Sequence, residues 1–272
     1  MMRPGRGLTN DSSERKRVVA GRALVLAAHG SGDESATNDL ARATADRLHQ
    51  SGRFDEVTAA FHLGEPSFRN VLDGLSCSDV VVVPLMTSEG FYYDTLPAAL
   101  TCNDRFEKLR VRLTRPVGTS DRLHDLVAAR CAELIRRFDL APAESAVIVV
   151  GHGTTRHRRS RQAAWDLAAS LARANVAARI EAGFLDDAPR IEALAPQDDG
   201  LARLDWIVVP FLIGGGRHAS VDVGARLGLN GNSQAEPSLH NDNGRNIVID
   251  APVGCYPELP DVITAMAEEV AA

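Results

Sequence analysis

The sequence predicts an α/β protein of two similar halves, each a parallel four-stranded sheet flanked by helices. One observation is an internal repeat. ALVLAAHGS at 23–31 returns as AVIVVGHGT at 146–154, and each segment is followed, at matching intervals, by a phenylalanine, an apolar run containing proline, and the tripeptide PVG. The other is that nearly continuous apolar runs alternate with segments of helical periodicity. That pattern is typical of parallel strands covered on both faces by helices.

The first half alternates strand and helix along its length. A helix is predicted over Asn38–Gln50, where Leu40, Ala41, Ala45 and Leu48 form one apolar face. A short helix is predicted over Ser67–Leu75, and a longer one over Asp121–Phe138. The predicted strands are RALVLAAHG, EVTAAFHLG, DVVVVPLM and VRLTRPVG.

The second half repeats that order with one insertion. Helices are predicted over Gln162–Ala174, over Arg190–Ala195 and from Pro257 onward, and the predicted strands are AVIVVGHG, RIEAGFLDD, DWIVVPFLI and NIVIDAPVG. The insertion, GLNGNSQAEPSLHNDNGRN at 228–246, is rich in Gly, Asn and Ser, which predicts a mobile loop. It is either a lid over a site or a plain surface insertion.

These boundaries divide the chain into a flexible leader (1–21), a first half (22–140) and a second half (146–272). Each half has the size of an ordinary domain, and the 44% hydrophobic content suffices for a core. Because the repeat is fused in one chain, a monomer is expected.

Composition disfavours several functional classes. A net charge of −6 argues against a nucleic-acid-binding protein, and no apolar run is long enough to cross a bilayer. The leader lacks the apolar stretch of a signal peptide. The four cysteines are scattered, which argues against a thiolate metal cluster or a disulfide scaffold and is typical of a reducing cytoplasm.

Polar side chains follow three successive strands of the second half. His152 ends the first strand, Asp186 the second, and His218 follows the third after Gly214, Gly215 and Gly216. In open parallel sheets, ligands bind beyond the carboxyl ends of the strands. Imidazoles with a carboxylate suit a borderline divalent metal such as Fe²⁺ or Co²⁺, and the glycines let the backbone approach a large flat ligand. The first half has His29, Leu63 and Tyr92 at the matching positions.

These motifs carry a family resemblance. AVIVVGHGT, EAGFLDDAPRIEAL and above all DWIVVPFLIGGGRHASVDV resemble the sirohydrochlorin chelatases, the class II chelatases that insert Fe²⁺ or Co²⁺ into a reduced tetrapyrrole. The resemblance covers both halves from about Arg22 onward. It implies two chelatase-like halves with the active cleft between them, and a metal set of His152, Asp186 and His218.

The chain departs from the family pattern at two places. The family more often has Glu than Asp at the middle position, so Asp187 is an alternative to Asp186. In many tandem members the N-terminal half holds the metal residues. Here LMTSEGFYYD replaces the glycine-rich turn with histidine in that half. The second half is therefore expected to hold the metal site.

The implied reaction needs a base, because two pyrrole protons leave as the metal enters. Histidine titrates near neutral pH, and His152 or His218 can serve. The carboxylates of the macrocycle need cations, for which Arg156, Arg158, Arg159 and Arg217 are the candidates, since guanidinium groups bind carboxylates in bidentate fashion. For the charged run at 156–161, a solvated surface face is the alternative interpretation. The resemblance implies no permanently bound cofactor, with Fe²⁺ or Co²⁺ as the substrate metal.

The first half is expected to support the site. His29 either acts on the tetrapyrrole across the shared cleft or is a structural relic of the duplication. Glu89, Tyr92 and Tyr93 are candidates for the opposite wall. The tyrosine pair could stack on the ring there, but ordinary packing is the preferred explanation for it. His62 and His124 are expected to be structural.

Three functions stay open from the sequence. Insertion of Fe²⁺ into sirohydrochlorin to give sirohaem is preferred, and insertion of Co²⁺ toward cobalamin is the nearest alternative. A non-catalytic tetrapyrrole or metal carrier would use the same pocket. An unrelated α/β hydrolase or transferase lacks support, because the chain has no GxSxG, P-loop or GxGxxG motif in the required context.

Overall fold

The computed structural model describes residues 19–31, 36–154, 158–197, 199–213, 218–229, 236–242 and 244–271. For 36–37, 195–197, 199 and 218–221 only the backbone is described. Across the described residues, no helix is both long enough and apolar enough to span a membrane.

The first half forms a sheet of four parallel strands in the order β2-β1-β3-β4. Its elements are β1 (Val19–Gly30), α1 (Ala36–Gln50), β2 (Glu56–Leu63), β3 (Cys77–Leu85), α2 (Phe91–Thr101), β4 (Arg110–Leu113) and α3 (Asp121–Arg137). The central strands β1 and β3 are buried on both faces, which explains why their sequences are apolar without alternation.

The second half forms a mixed sheet in the order β6-β5-β7-β9-β8. Its elements are β5 (Ser145–Gly151), α4 (Arg158–Arg173), β6 (Arg179–Phe184), α5 (Ile191–Gln197), α6 (Asp199–Ala202), β7 (Asp205–Pro210), α7 (His218–Arg226), β8 (Ser238–Asp242), β9 (Arg245–Ile249) and α8 (Leu259–Ala271). Four of the strands are parallel and match the first sheet in order. The predicted α/β fold of two similar halves is confirmed.

One part of the loop prediction for 228–246 is wrong. Ser238–Asp242 is a strand that pairs antiparallel with β9, so this sheet has a fifth, antiparallel edge strand. The turn is held by local polar contacts: the Gly244 N–H donates to Asn241 Oδ1 at 3.1 Å, and Arg245 donates to Asp242 at 2.6 Å. Of the two Asn-Gly pairs in the insertion, the one at 243–244 is a hairpin signal in the sequence that outweighs the polar composition.

Three helices were not predicted: the short α6, and α2 and α7, which follow the third strand of each half. The sequence of α2 contains Pro97, which usually marks a helix end, yet here it lies inside the helix while Leu96 and Leu100 are buried. The glycine-rich segment before α7 hides its start. In addition, α4 begins at Arg158, four residues before the predicted start at Gln162. The prediction followed the apolar periodicity, which starts only at Ala163 because the first turn of the helix is charged.

The two halves share one core because each covers the sheet of the other with its last helix. In chain order α3 ends the first half, but it packs against β7 and α4; α8, the last helix of the second half, packs against β3 and β4. Leu24 and Leu26 of β1 lie in the same buried cluster as Val147 and Val149 of β5. The opposite face of each sheet is covered within its own half.

A buried ion pair fixes α3 on the second half. Asp250, which follows β9, is fully buried and lies 2.9 Å from Arg130 Nη2, while Arg130 Nε donates to its other oxygen at 3.1 Å. The Tyr256 hydroxyl donates to the same carboxylate at 2.7 Å. These contacts satisfy a carboxylate that would otherwise be costly to bury.

Candidate functional site at the strand ends of the second sheet

The backbone brings two of the expected site residues side by side. His152 directly follows β5, and Asp186 lies two residues beyond the end of β6. The parallel ladder continues past the strands, since the Asp186 N–H donates to the His152 carbonyl at 2.9 Å. Gly153 then turns the chain with φ +76°, and a Cβ there would lie 2.8 Å from the Asp187 Cβ. The glycine after the histidine is therefore required by both conformation and space.

The side chain of His152 contacts two acceptors through the same nitrogen. Its Nδ1 lies 3.3 Å from Asp186 Oδ2 and 3.2 Å from the Gly153 carbonyl oxygen. Because a carboxylate and a carbonyl both accept hydrogen bonds, Nδ1 carries the proton in this geometry. The lone pair of the neutral ring is then on Nε2. The side chain is 69% exposed, so this nitrogen is accessible to a ligand.

Asp186 is also held from its other side. Arg226, the last residue of α7, lies with Nη2 3.2 Å from Asp186 Oδ1 and with Nη1 3.3 Å from Glu192 Oε1. One guanidinium therefore bridges a carboxylate after β6 and a carboxylate of α5. This contact ties the helix that begins at His218 to the carboxylate beside His152.

Asp187 is turned away from His152. Its Oδ1 accepts a hydrogen bond from the Ala188 N–H at 2.8 Å, its Oδ2 lies 3.3 Å from Arg161 Nε, and its side chain is 10% exposed. Asp186, with a side chain 52% exposed, is the carboxylate that contacts the histidine. Of the two aspartates, Asp186 is thus the one placed for a site.

The remaining predicted residues of this half are only partly described. His218 is the first residue of α7, and its side chain is not described. Arg156, Arg217 and the glycines Gly214, Gly215 and Gly216 lie outside the described residues. Among the described side chains, no three His, Cys, Asp or Glu residues are grouped as a metal set.

Two arginines at the start of α4 differ in their contacts. Arg158 opens the helix and is exposed. The guanidinium of Arg159 reaches the first half, where it lies 3.5 Å from Glu89 Oε2 and also pairs with Asp94 of α2. The predicted carboxylate-binding residue is therefore engaged with carboxylates of the protein itself, across the two halves.

Aromatic rings replace the ion pairs at the corresponding place in the first half. The ring of His29 packs edge-on against Tyr92, with centroids 4.0 Å apart, and His62 lies 4.7 Å from the same tyrosine. His29 Nε2 is buried without a hydrogen-bond partner in the described chain. Burial, with a smaller effect of the nearby His62, lowers the pKa of His29, against the raising effect of the Gly30 backbone. Leu63, at the position of Asp186, is exposed.

The histidines that were expected to be structural have different surroundings. His124 is buried, and its Nε2 lies 3.2 Å from the Gly118 carbonyl oxygen, as expected of a structural residue. His62 instead belongs to an aromatic cluster with His29 and Tyr92 at the strand ends. Tyr93 donates from its hydroxyl to the Thr114 carbonyl at 3.5 Å, which is a contact within the fold.

Family comparison decides the class of protein. The family model named CbiX matches residues 23–134 and again 146–270, which is most of both halves.

The chain belongs to the CbiX family.

A relative from Halobacterium salinarum, named "Probable sirohydrochlorin cobaltochelatase", is 31% identical over 223 residues, which cover 74% of this chain and 75% of the relative. The resemblance to the sirohydrochlorin chelatases is thereby confirmed, and this CbiX-family chain is a metal chelatase.

Solved structures share the fold. CbiX, described as the terminal enzyme for biosynthesis of siroheme in denitrifying bacteria, superposes with a TM-score of 0.70 at 22% identity, over 92% of this chain and 100% of that one. SirB from Bacillus subtilis with Fe³⁺ gives 0.67 at 17% identity, over 92% and 96%. A multi-domain Deinococcus radiodurans protein with structural similarity to chelatases gives 0.70 at 24% identity. The match covers 92% of this chain and only 55% of that longer one.

Two features of the site were missed from the sequence. Arg226 has no motif around it, and only its position at the end of an unpredicted helix brings it to Asp186. His62 does carry a signal, because it comes directly after Phe61, the phenylalanine repeated in the second strand of each half, and so lies at the same sheet edge as His29.

Proposed function

We propose that this CbiX-family chain inserts Fe²⁺ into sirohydrochlorin to give sirohaem, releasing two pyrrole protons. We also propose that the metal is taken at the strand ends of the second half, by His152, Asp186 and His218. The observation that carries the location is the contact of His152 Nδ1 with the Asp186 carboxylate at 3.3 Å. In the first half the matching histidine packs against an aromatic ring instead.

The chemistry follows from what this site offers. A metal that must be passed on needs few protein ligands and open positions, and imidazole nitrogen with carboxylate oxygen suits Fe²⁺ and Co²⁺. His152 presents an accessible ring whose Nε2 is unprotonated when Nδ1 holds the proton. Such a nitrogen binds a metal or takes a pyrrole proton. His218, opening the next helix, is the second histidine for these two tasks.

The macrocycle lies, in this proposal, in the cleft between the halves. The ion pairs of Arg159 with Glu89 and Asp94 join the two walls and support that location. When sirohydrochlorin enters, its carboxylates exchange with those of the protein at Arg159, while Arg158, Arg156 and Arg217 supply further cations. The glycines Gly214, Gly215 and Gly216 give room for the ring, and Tyr92 with His29 forms the opposite wall.

Cobalt insertion is the second candidate. It is favoured by the Halobacterium salinarum relative, whose name is that of a cobaltochelatase. Iron is favoured by the description of one structural neighbour as a siroheme enzyme, whereas the SirB neighbours do not separate the metals, since one contains Fe³⁺ and another cobalt. The ligand set favours neither metal, because the affinity of such a site for divalent metals follows the metal series more than the identity of the ligands.

The test is metal insertion followed by absorbance, with purified protein, sirohydrochlorin and either Fe²⁺ or Co²⁺ under anaerobic conditions. A higher kcat/KM with Fe²⁺ supports the ferrochelatase, and a higher value with Co²⁺ rejects it. His152→Ala and His218→Ala are expected to abolish insertion, and His29→Ala to leave part of it. His49→Ala, on the exposed end of α1, is the matched control. Tight binding of sirohydrochlorin without turnover of either metal would indicate a carrier.

The same proposal includes the oligomeric state, the location, the partners and the division of the chain. The protein acts as a monomer in the cytoplasm, with sirohydrochlorin and the metal ion as its small-molecule partners. Neither nucleic acid nor a membrane takes part. The working division is 22–140 for the supporting half and 146–272 for the metal-site half. Size-exclusion chromatography with light scattering tests the monomer.

A further inference from the structure

The chain of contacts behind His152 extends well beyond the expected site residues. Glu192 contacts Arg226 at 3.3 Å, Arg226 contacts Asp186 at 3.2 Å, and Asp186 contacts His152 at 3.3 Å. Charges alternate along this series, so each member has an oppositely charged or polar neighbour. The series connects α5, α7 and the ends of β6 and β5.

We propose that Arg226 is a positioning residue for the chelatase site. In the metal-free protein it keeps, through Asp186, the proton of His152 on Nδ1, so that Nε2 is the nitrogen presented to the incoming metal and the macrocycle. Asp186 joins the metal ligands only when it gives up this contact with Nδ1. Because Arg226 is the last residue of α7, it also fixes the helix that begins at His218. This inference rests on the proposed function for its role in metal insertion. Its structural part concerns only the ring of His152.

The geometry requires an arginine at this position. Nη1 and Nη2 of one planar group serve Glu192 and Asp186 separately. A lysine carries a single ammonium group and cannot hold two carboxylates in the same fixed arrangement. Without the cation, the exposed His152 is the one side chain among the described residues that still contacts the Asp186 carboxylate. A carboxylate that orients a ligating histidine determines which ring nitrogen is free, and loss of such an outer partner weakens metal binding.

The duplication supplies an internal comparison. At the matching positions of the first half, Leu63 replaces Asp186, Leu100 replaces Arg226 and Arg69 replaces Glu192. Leu100 is a residue of α2 whose side chain is buried in the core, and Leu63 is exposed. The whole series is therefore absent from the half in which His29 contacts tyrosine, and present where the histidine has a carboxylate partner.

The experiment compares Arg226→Gln with Arg179→Gln. Arg179 is the matched control because its side chain is also 37% exposed and also pairs with a carboxylate, Glu181, at the opposite end of β6. The first readout is the ¹⁵N spectrum of labelled histidine without metal, with the His152 signals assigned by their loss in His152→Ala. The second is the dissociation constant for Co²⁺ alone, from its absorption bands.

Wild-type protein and Arg179→Gln are expected to show Nδ1 protonated and Nε2 unprotonated. In Arg226→Gln the two nitrogens should move toward the averaged values of a free imidazole, and Co²⁺ should bind about 10- to 100-fold more weakly. Arg226→Lys should lose less affinity, and it replaces Arg226→Gln if that variant does not fold. An unchanged His152 spectrum in the variants would overturn the inference, as would unchanged or tighter Co²⁺ binding.

This outcome is separable from that of the proposed function. The nitrogen spectrum is recorded without metal or tetrapyrrole, so it reports on Arg226 whether or not the second half is the metal site. If His152→Ala and His218→Ala retain full insertion activity, the site assignment fails. If they are inactive and Arg226→Gln shows the wild-type spectrum and affinity, only the positioning role fails.

Discussion

Replacing Arg130 by methionine tests the contact that fixes the two halves together. Arg130 lies on α3, the last helix of the first half, and its guanidinium contacts both oxygens of Asp250 in the second half, at 2.9 Å and 3.1 Å. Asp250 is fully buried, and the Arg130 side chain is 22% exposed. Methionine keeps the length and apolar packing of the arginine stem but removes the charge.

The expected loss is large because the carboxylate stays behind. In Arg130→Met, Asp250 keeps the Tyr256 hydroxyl at 2.7 Å but no longer has the arginine cation. Breaking a buried pair by removing one partner costs about 3–5 kcal/mol of unfolding free energy. Arg53→Met is the control, since its pair with Glu268 also joins the halves while both side chains are at least half exposed. Such a surface pair is worth about 0.2–1 kcal/mol.

The assay is urea unfolding followed by circular dichroism. Arg130→Met should lower the free energy of unfolding by several times the amount seen for Arg53→Met. The double variant Arg130→Met with Asp250→Asn should recover much of the loss, because no uncompensated buried charge remains. Equal losses in the two single variants would refute the reasoning. So would a double variant as unstable as Arg130→Met.

Three further predictions concern the strand ends. Gly153→Ala should destabilise the protein more than Gly52→Ala. Both glycines have a positive φ, which costs alanine about 1–2 kcal/mol, but at Gly153 the new Cβ would also lie 2.8 Å from the Asp187 Cβ, whereas at Gly52 it would meet nothing within 4 Å. Equal urea midpoints of the two variants would contradict this. Arg159→Gln should raise KM for sirohydrochlorin with little change in kcat, and an unchanged KM would exclude exchange of its ion pairs with the substrate. His29 should titrate below pH 6.5 by NMR, because burial lowers the pKa of its ring. Since the unfolded state then binds the proton more readily than the folded state, the protein loses stability as the pH falls from 6.5 through the lower pKa of the folded state. A midpoint at or above 6.5 would contradict the half-buried ring.

Much of the fold follows from the sequence because the strands are buried on both faces. An apolar run such as ALVLAA must be covered by other elements, and its length and its alternation with helical segments identify it as a buried strand; the counterpart AVIVVG in the second half reveals the duplication. The antiparallel strand Ser238–Asp242 was missed since its residues are polar and its stability comes from pairing with β9. The exchange of α3 and α8 was also beyond the sequence. An amphipathic helix shows that it covers an apolar face but not which sheet provides that face.

The juxtaposition of two candidate residues was predictable because backbone placement alone determines it. His152 and Asp186 end neighbouring parallel strands, so the topology brings them together. Their partners were not predictable, because Arg226 and Glu192 reach the carboxylate from helices whose packing depends on the tertiary fold. Arg159 shows the reverse case. Its charge suggested substrate binding, whereas the structure pairs it with Glu89 and with Asp94 of α2.

The central claim is that metal chemistry takes place in the second half of the duplicated chain. Crystals soaked with Co²⁺ and measured on both sides of the cobalt absorption edge test it most directly. We expect an anomalous difference peak within bonding distance of His152 Nε2 and on the side of the ring that faces the cleft. A peak at His29, with none at His152, would contradict it.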